Sequence, residues 1–237
     1  KSTLFRSLHI PGDPIMLYNI WDAGSAKCVE KAGARALATG SAPVALAQGY
    51  ADGEQIPLAL AIANVERILA SSELPLTMDL EGGYGVADET VAETISTAMA
   101  TGIVGFNFED QIVGGDGLHK SDVQVGRIKA ARTAADKNGA AGFINARTEI
   151  FLKAKPDTHS KEMLAEAINR AKAYEQAGAD GFFAPGLADE AMIEQLCQSV
   201  ALPVNIIALP HVPPKTKLIE LGVARISYGP VPYRRVA

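Results

Sequence analysis

Asp79 and Glu81 stand two residues apart at the end of a short apolar run, Leu76-Thr-Met-Asp-Leu-Glu-Gly-Gly-Tyr-Gly85, which follows Pro75. The run reads as a buried strand, and the glycines as a turn beyond it. A side-chain period of two puts both carboxylates on the same face of that strand end. Two like charges there repel unless a cation neutralises them, and acidic oxygen ligands suit a hard ion such as Mg2+ or Mn2+. In isolation the pair has a plainer reading, a solvated strand end with one carboxylate capping the next helix. The elements around it decide between the two.

Those elements are written as a weak repeat. Four times an amphipathic helix ends in a small residue and glycine and runs into a short apolar strand: at Lys31-Ala-Gly33, Ala100-Thr-Gly102, Gln176-Ala-Gly178 and Glu220-Leu-Gly222. Glycine at a helix C-terminus adopts the left-handed conformation at little cost, so each copy is the αβ half of a βαβ unit. Between the copies lie four further apolar runs. Together they give eight strands, near 15–19, 36–39, 76–80, 104–108, 142–146, 181–184, 204–207 and 225–228. Helical patterns separate them at 25–31, 58–70, 88–99, 124–138, 159–176 and 189–199, with a compact helix at 215–221.

Eight such units predict a parallel (β/α)8 TIM-type barrel, a single domain over 1–237. A doubly wound open sheet is the alternative, but no glycine-rich dinucleotide or phosphate-loop signature opens a helix. The eighth helix is missing from the pattern or supplied by a partner copy.

Bulk properties narrow the classes. A formal charge of -5 and the lack of a basic block give no footprint for nucleic acid. No apolar run reaches the roughly 20 residues of a membrane span, and no signal peptide is visible. The chain begins at Lys1 without a methionine, which leaves room for a removed leading segment. Cys28 and Cys197 are far apart and outside ligand-type spacings, which favours a reducing, cytoplasmic setting.

Barrel enzymes carry their chemistry where the strands end. The strand ends here deliver Trp21 and Asp22, then Thr39-Gly40-Ser41 with Asp52 further along, then Asp79 and Glu81. Next come Glu109 and Asp110, then Asn145, Arg147 and Glu149, then Pro185 and Asn205. Seven carboxylates and one arginine on one rim favour a cation.

In this order the residues resemble the isocitrate lyase and phosphoenolpyruvate mutase superfamily. The similar blocks are Trp-Asp-Ala-Gly-Ser-Ala at 21–26, Thr-Gly-Ser at 39–41, Gly-Tyr-Ala-Asp at 49–52, Met-Asp-Leu-Glu-Gly-Gly-Tyr-Gly at 78–85, Phe-Glu-Asp-Gln at 108–111 and Asn-Ala-Arg-Thr-Glu at 145–149. The resemblance implies a site for a small oxo or hydroxy acid on Mg2+. By the same resemblance Asp79 binds the metal directly, and Asp52, Glu81 and Glu109 reach it mostly through water. The backbone of Thr39, Gly40 and Ser41 would hold one substrate carboxylate and Arg147 another part of the substrate. Asn205 would contact substrate, and Trp21 would line the pocket floor. A homo-oligomer, dimer or tetramer, is implied because members often exchange the final helix.

The chemistry agrees with that implication. A guanidinium takes a carboxylate bidentately, a metal chelates a carboxylate with a neighbouring keto oxygen, and Mg2+ stabilises an enolate as a Lewis acid. One departure matters. Lyase members carry a cysteine motif in the loop after the Glu-Asp pair, whereas this chain reads Gln111-Ile-Val-Gly-Gly-Asp-Gly-Leu-His119-Lys120. The glutamate such lyases carry after strand six is replaced by Ala184-Pro185-Gly186.

His119 in this mobile-lid candidate is a possible acid or base, or simply exposed. Arg127 on the following helix reads as a solvated charge. The leading expectation is Mg2+-dependent carbon–carbon cleavage, decarboxylase-like, in a small 2-oxo or 2-hydroxy carboxylate. The alternatives are carbon–phosphorus chemistry, as in phosphonopyruvate hydrolase or phosphoenolpyruvate mutase, and a non-catalytic carboxylate-binding barrel.

Overall fold

Apolar runs bounded by glycine-capped helices leave each strand one partner before and one after it, and the pairs close on themselves. A computed structural model of the chain describes residues 1–137 and 141–237. Its strands are β1 (Ile15–Leu17), β2 (Asn19–Ile20), β3 (Leu37–Thr39), β4 (Leu76–Asp79), β5 (Gly105–Glu109), β6 (Phe143–Arg147), β7 (Gly181–Phe183), β8 (Val204–Ile207) and β9 (Arg225–Ser227). All pairings are parallel, in the order β1-β9-β8-β7-β6-β5-β4-β3-β2. This is the expected TIM-type barrel with one difference: the first strand is broken at Tyr18. Up to Leu17 it bonds to β9, and from Asn19 onward to β3.

The side chain of Asn19 spans that seam. Its Nδ2 donates to Thr39 O at 2.9 Å, while its Oδ1 accepts from the backbone N–H groups of Tyr228 and Gly229 at 3.0 and 2.7 Å.

The helices are α1 (Ser2–Ser7), α2 (Ala23–Lys31), α3 (Ser41–Ala47), α4 (Leu58–Ser71), α5 (Asp88–Ala100), α6 (Ser121–Asp136), α7 (Lys161–Gln176), α8 (Glu190–Ser199), α9 (Lys215–Glu220) and α10 (Val231–Arg234). The expected helix over 124–138 begins three residues earlier, and Asn138 lies outside the described residues. The four repeat glycines, Gly33, Gly102, Gly178 and Gly222, all have φ between 85 and 104°. The repeat therefore is a series of left-handed helix ends. After β9 comes only the four-residue α10, two residues shorter than α9 before it. None of the helices is long and apolar enough to cross a membrane among the described residues.

Period two divides the strands. Met78, Phe106, Phe108, Ile144, Ala146, Phe182, Ile206 and Ile226 belong to the large core between sheet and helices. A smaller core of Phe5, Leu8, Ile15, Leu17, Ala36, Ala38, Val104 and Phe143 fills one end of the barrel. The sequence reading had no element before the first strand, and α1 supplies this plug. Phe5 meets Phe143 edge-on at 5.6 Å, and His9 stacks on the same ring at 4.2 Å. Phe143 opens β6, so the plug closes the end where strands begin and leaves the opposite end for the site.

Candidate active site

Asp79 is the last residue of β4 and is held on three sides. Its backbone N–H donates to Thr39 Oγ1 at 2.9 Å, Ser41 N–H donates to Asp79 Oδ2 at 3.2 Å, and Asn107 Nδ2 donates to Asp79 Oδ1 at 3.3 Å. The turn at 39–41 thus orients Asp79. Its Gly40 N–H is spent on Ile20 O, at 3.2 Å. The expectation that this backbone serves a substrate carboxylate is corrected to that extent.

Glu81 does not reach the cluster by strand pleat, because the strand has already ended. It arrives through a left-handed turn, φ 50°, and is buried. Its Oε2 accepts from Glu54 N–H at 3.0 Å, and Glu54 Oε1 accepts from Tyr84 N–H at 2.8 Å. Glu54 and Tyr84 also have positive φ, 58 and 57°. Among the described residues these three are the non-glycine residues in that region, and all surround the acids. Gly82 leaves room next door, since a Cβ there would come within 2.8 Å of Val113 Cγ2 and 3.1 Å of Glu54 Oε1.

Arg147, at the end of β6, faces Glu109 from β5 at 3.2 Å and Asp79 at 3.9 Å, and its Nε bonds Glu149. Burial opposes the Arg147 charge, but Glu109, Glu149 and Asp79 outweigh it and raise its pKa. The acids respond in the opposite sense. Burial, reinforced by Asp79, Asp52 and Glu109, pushes Glu81 up to about 8. Burial pushes Glu109 up to about 8 as well, with Arg147 opposing and Glu149, Asp79 and Asp52 adding to the rise.

A cavity of about 300 Å3 opens over Asp79 and Arg147. Its polar lining includes Asn19, Ser41, Asn107 and Ser227, and its apolar lining Leu152, Phe183, Pro185, Ile207 and Leu209. Asp52 and Arg234 also line it.

Among the described residues no three or more His, Cys, Asp or Glu side chains stand close enough to grip a metal ion together. Yet Asp79 and Glu81 both line a second void of about 10 Å3, close to the room one water needs. Mg2+ prefers one or two carboxylates and several waters to an all-protein cage. An all-oxygen donor set, with Glu81 and Glu109 buried and raised in pKa by that burial, fits such a water-rich ion.

Other expected site residues are placed elsewhere. His119 is buried, not exposed on a lid. It lines a separate void of about 50 Å3 with Glu54 and Arg127, while burial and then Arg127 lower its pKa. Its segment is pinned by Gln111 pairing Leu118 and by His119 N–H donating to Asp110 O at 2.8 Å. Trp21 packs beside the cavity, not on its floor, against Val44, Ala45 and Ile56, edge-on to Tyr233 at 5.2 Å. Asn205 lies inside the barrel with Oδ1 accepting from Asn145 Nδ2 at 3.1 Å, so it does not face the cavity.

Two of the seven rim carboxylates also turn away. Asp22 caps α2 through Ser25 N–H at 2.6 Å, and Asp110 receives Arg170 and Tyr174 at 3.1 and 2.9 Å.

Sequence reasoning missed three supports. Asn107 stands two residues before Glu109 in β5, so strand period alone places it inward. Arg225 is a charge inside an apolar strand, which is itself a signal. It is buried, donates to Asn107 Oδ1 at 3.1 Å, and has its pKa pushed down to about 9 by burial against the pull of Asp79. Arg127, expected in solvent, is buried at 1 % exposure and donates to Gly82 O and Gly85 O, beneath the turn that carries Glu81.

Known proteins share this fold. A crystal structure from Burkholderia cenocepacia J2315, provisionally called a phosphonomutase, is 48% identical and superposes with a TM-score of 0.97 over 99% of this chain and 93% of that one. A 2,3-dimethylmalate lyase, described as a member of the PEP mutase/isocitrate lyase superfamily, is 29% identical with a TM-score of 0.85 over 99% and 82%. An uncharacterized protein of Mycobacterium tuberculosis (strain ATCC 25618 / H37Rv) is 32% identical over 97% of this chain and 83% of its own length. The model of the phosphoenolpyruvate phosphomutase family matches residues 5–237, and the chain belongs to that family.

Proposed function

We propose that the protein is a Mg2+-dependent lyase that breaks a carbon–carbon bond in a small 2-oxo or 2-hydroxy carboxylate, in the manner of a decarboxylase. The observation that carries this reading is the meeting of Asp79 and Arg147 on one cavity, with Glu81 and Glu109 buried behind them. The names of the similar lyases support it.

Asp79 would hold the cation directly, and Asp52, Glu81 and Glu109 through water. When bound, the cation supplies Lewis-acid stabilisation of negative charge developing on a substrate oxygen. Arg147 binds the substrate carboxylate, since its Nη2 makes no hydrogen bond among the described residues and a guanidinium matches a carboxylate in geometry. Ser41 N–H and Asn107 Nδ2 fix the Asp79 carboxylate before substrate arrives. Phe183 and Leu152 give the cavity apolar lining beside Arg147, and solvent supplies the proton to the carbon from which the leaving group departs.

The test is turnover of oxaloacetate, phosphonopyruvate, 2-methylisocitrate and isocitrate with Mg2+ and with EDTA, following pyruvate, phosphate and glyoxylate. Mg2+-dependent pyruvate without phosphate supports the reading. Phosphate would replace it with carbon–phosphorus chemistry, and turnover that EDTA leaves intact would remove the metal from it.

A further inference from the structure

Asp79 ends a row of buried polar side chains that crosses the barrel interior. It pairs in register with Asn107, Asn107 with Asn145, and Asn145 with Gly181. Gly181 has no side chain, and a Cβ there would come within 2.8 Å of Asn145 Oδ1. The Asn145 amide therefore lies over β7 and reaches Asn205 on β8. Asn205 is in turn the register partner of Arg225. These three asparagines and Arg225 are all at most 5 % exposed.

An amide can be turned over, so its direction is set by neighbours that have no choice of role. Asn205 Nδ2 faces two backbone carbonyls, Ile206 O at 3.0 Å and Arg225 O at 3.1 Å, which only accept. Its Oδ1 is therefore the end that meets Asn145, and Asn145 must offer Nδ2, at 3.1 Å. That Nδ2 also donates to Asn107 Oδ1 at 2.9 Å, and Arg225 Nη2, which only donates, reaches the same oxygen at 3.1 Å. Two donors thus hold Asn107 Oδ1, and its Nδ2 is left to donate to Asp79 Oδ1 at 3.3 Å. Arg225 fixes the row twice, by its carbonyl at Asn205 and its guanidinium at Asn107. Its Nε and Nη1 have no partner among the described residues, a costly state for a buried charge. The hydrogen bond it does make goes to the amide that faces Asp79.

We infer that Asn145, Asn205 and Arg225 are positioning residues for the cation: they hold the Asn107 amide with its donor end on Asp79, so that the carboxylate meets the ion in one orientation. The inference rests on the metal-dependent lyase reading, because that reading puts the ion on Asp79.

The experiment is calorimetric titration of the full chain with Mg2+ alone, beside thermal unfolding. Asn145→Leu cuts the row without changing charge, and the Mg2+ Kd is expected to rise about 3- to 10-fold, the equivalent of one hydrogen bond. Asn205→Leu, one step further out, should act in the same direction and replaces it if Asn145→Leu does not fold. Arg225→Met removes a positive charge, which by itself would tighten cation binding; Kd is nevertheless expected to rise about 3-fold, because the amide is released. In turnover these variants should need more Mg2+ yet approach the parent kcat once Mg2+ saturates, which a damaged fold would not do. In metal-free protein the Asn107 side-chain amide, assigned by its loss in Asn107→Leu, should give a distinct, slowly exchanging pair of nitrogen-attached proton signals that Asn145→Leu shifts or broadens.

An unchanged Mg2+ Kd in the asparagine variants, or tighter binding in Arg225→Met, overturns the inference and leaves the lyase reading standing. Activity that saturating Mg2+ does not restore also overturns it, since these residues would then serve the fold alone. A parent chain that binds no Mg2+ overturns both.

Discussion

Glu54 and Glu81 are clipped together across two loops: Glu54 N–H donates to Glu81 Oε2 at 3.0 Å, and Glu54 Oε1 in turn accepts from Tyr84 N–H at 2.8 Å. The loop that carries Asp52 is thereby fastened to the turn that carries Glu81. Both glutamates and Tyr84 sit at positive φ, so the clip holds three residues in a conformation they would leave if released.

Glu54→Ala removes the acceptor for Tyr84 N–H. A half-buried donor left without a partner costs about 1–3 kcal/mol. The variant is expected to lose that much stability in urea titration. Its Mg2+ affinity should also fall, because only the Glu54 N–H bond to Glu81 Oε2 then ties the two loops and the turn at Tyr84 is left unfastened. Unchanged affinity in calorimetry would show that the clip does not serve the site.

Asp79→Asn keeps the shape of the side chain and removes its charge. If Asp79 anchors the cation, kcat/KM should fall by about 100-fold or more, since such stabilisation is worth several kcal/mol. The metal-free protein should keep or gain thermal stability, because one charge leaves a repelling group of acids. A variant that loses both folding and activity would point to a structural part for Asp79 instead.

The acids make metal-free stability depend on pH in an unusual direction. Glu81 and Glu109 are raised from 4.5 to about 8, so between those values the folded chain holds protons that the unfolded chain has lost. Stability from these groups is full below pH 4.5 and declines as pH rises to about 8, with a slope of at most about 1.4 kcal/mol per pH unit for one group titrating alone. Denaturant titrations from pH 5 to 8 check this, and saturating Mg2+ should flatten the decline. A metal-free protein that strengthens over this range would contradict it.

His9 acts on the acid side with the opposite sign. Burial, aided by Arg225, lowers it from 6.5 to about 3, so between those values only the unfolded chain takes the proton. Its contribution is complete above pH 6.5 and is lost as pH falls toward 3, again by about 1.4 kcal/mol per unit. His9→Gln should be less stable than the parent at pH 7 and close the gap near pH 4. A constant gap across that range would remove His9 from the acid limb.

Arg127→Leu leaves the carbonyls of Gly82 and Gly85 without their donor. Hydrogen bonds from a charged group contribute about 1.5–3 kcal/mol each, so a loss of about 3 kcal/mol or more is expected in thermal unfolding. Lysine cannot reproduce the fork, so Arg127→Lys should rescue little. Full rescue by lysine would mean that charge alone matters there.

The barrel and the inner acids were legible because charge interrupts apolar strands at a period the backbone enforces. Asp79, Glu109 and Arg147 all end strands, and the pleat leaves them no other side. Glycine at four helix ends marked the repeat for an equally local reason. What escaped was tertiary. The α1 plug is six residues long and gains its burial from residues brought to it by the fold, Val104 and Phe143 among them, far away in the chain. Arg127 lies on a helix face whose partner, the glycine turn, lies about 40 residues earlier. His119 shows the limit from the other side, since a histidine among glycines looks exposed until Arg170 and Asp110 are seen to hold its backbone.

The seam at Tyr18 makes the barrel a split ring, with the two jaws at the open end joined by the amide of Asn19. Most staves of the wall are sewn to their neighbours by ladders, but here one side chain latches the Thr39 stave to the Tyr228–Gly229 stave. The cavity mouth straddles that latch, with Gly40 and Ser41 on one jaw and Gly229, Pro230 and Arg234 on the other. The aperture through which a ligand passes therefore lies across the one joint in the wall that a buried amide, rather than a strand ladder, bridges.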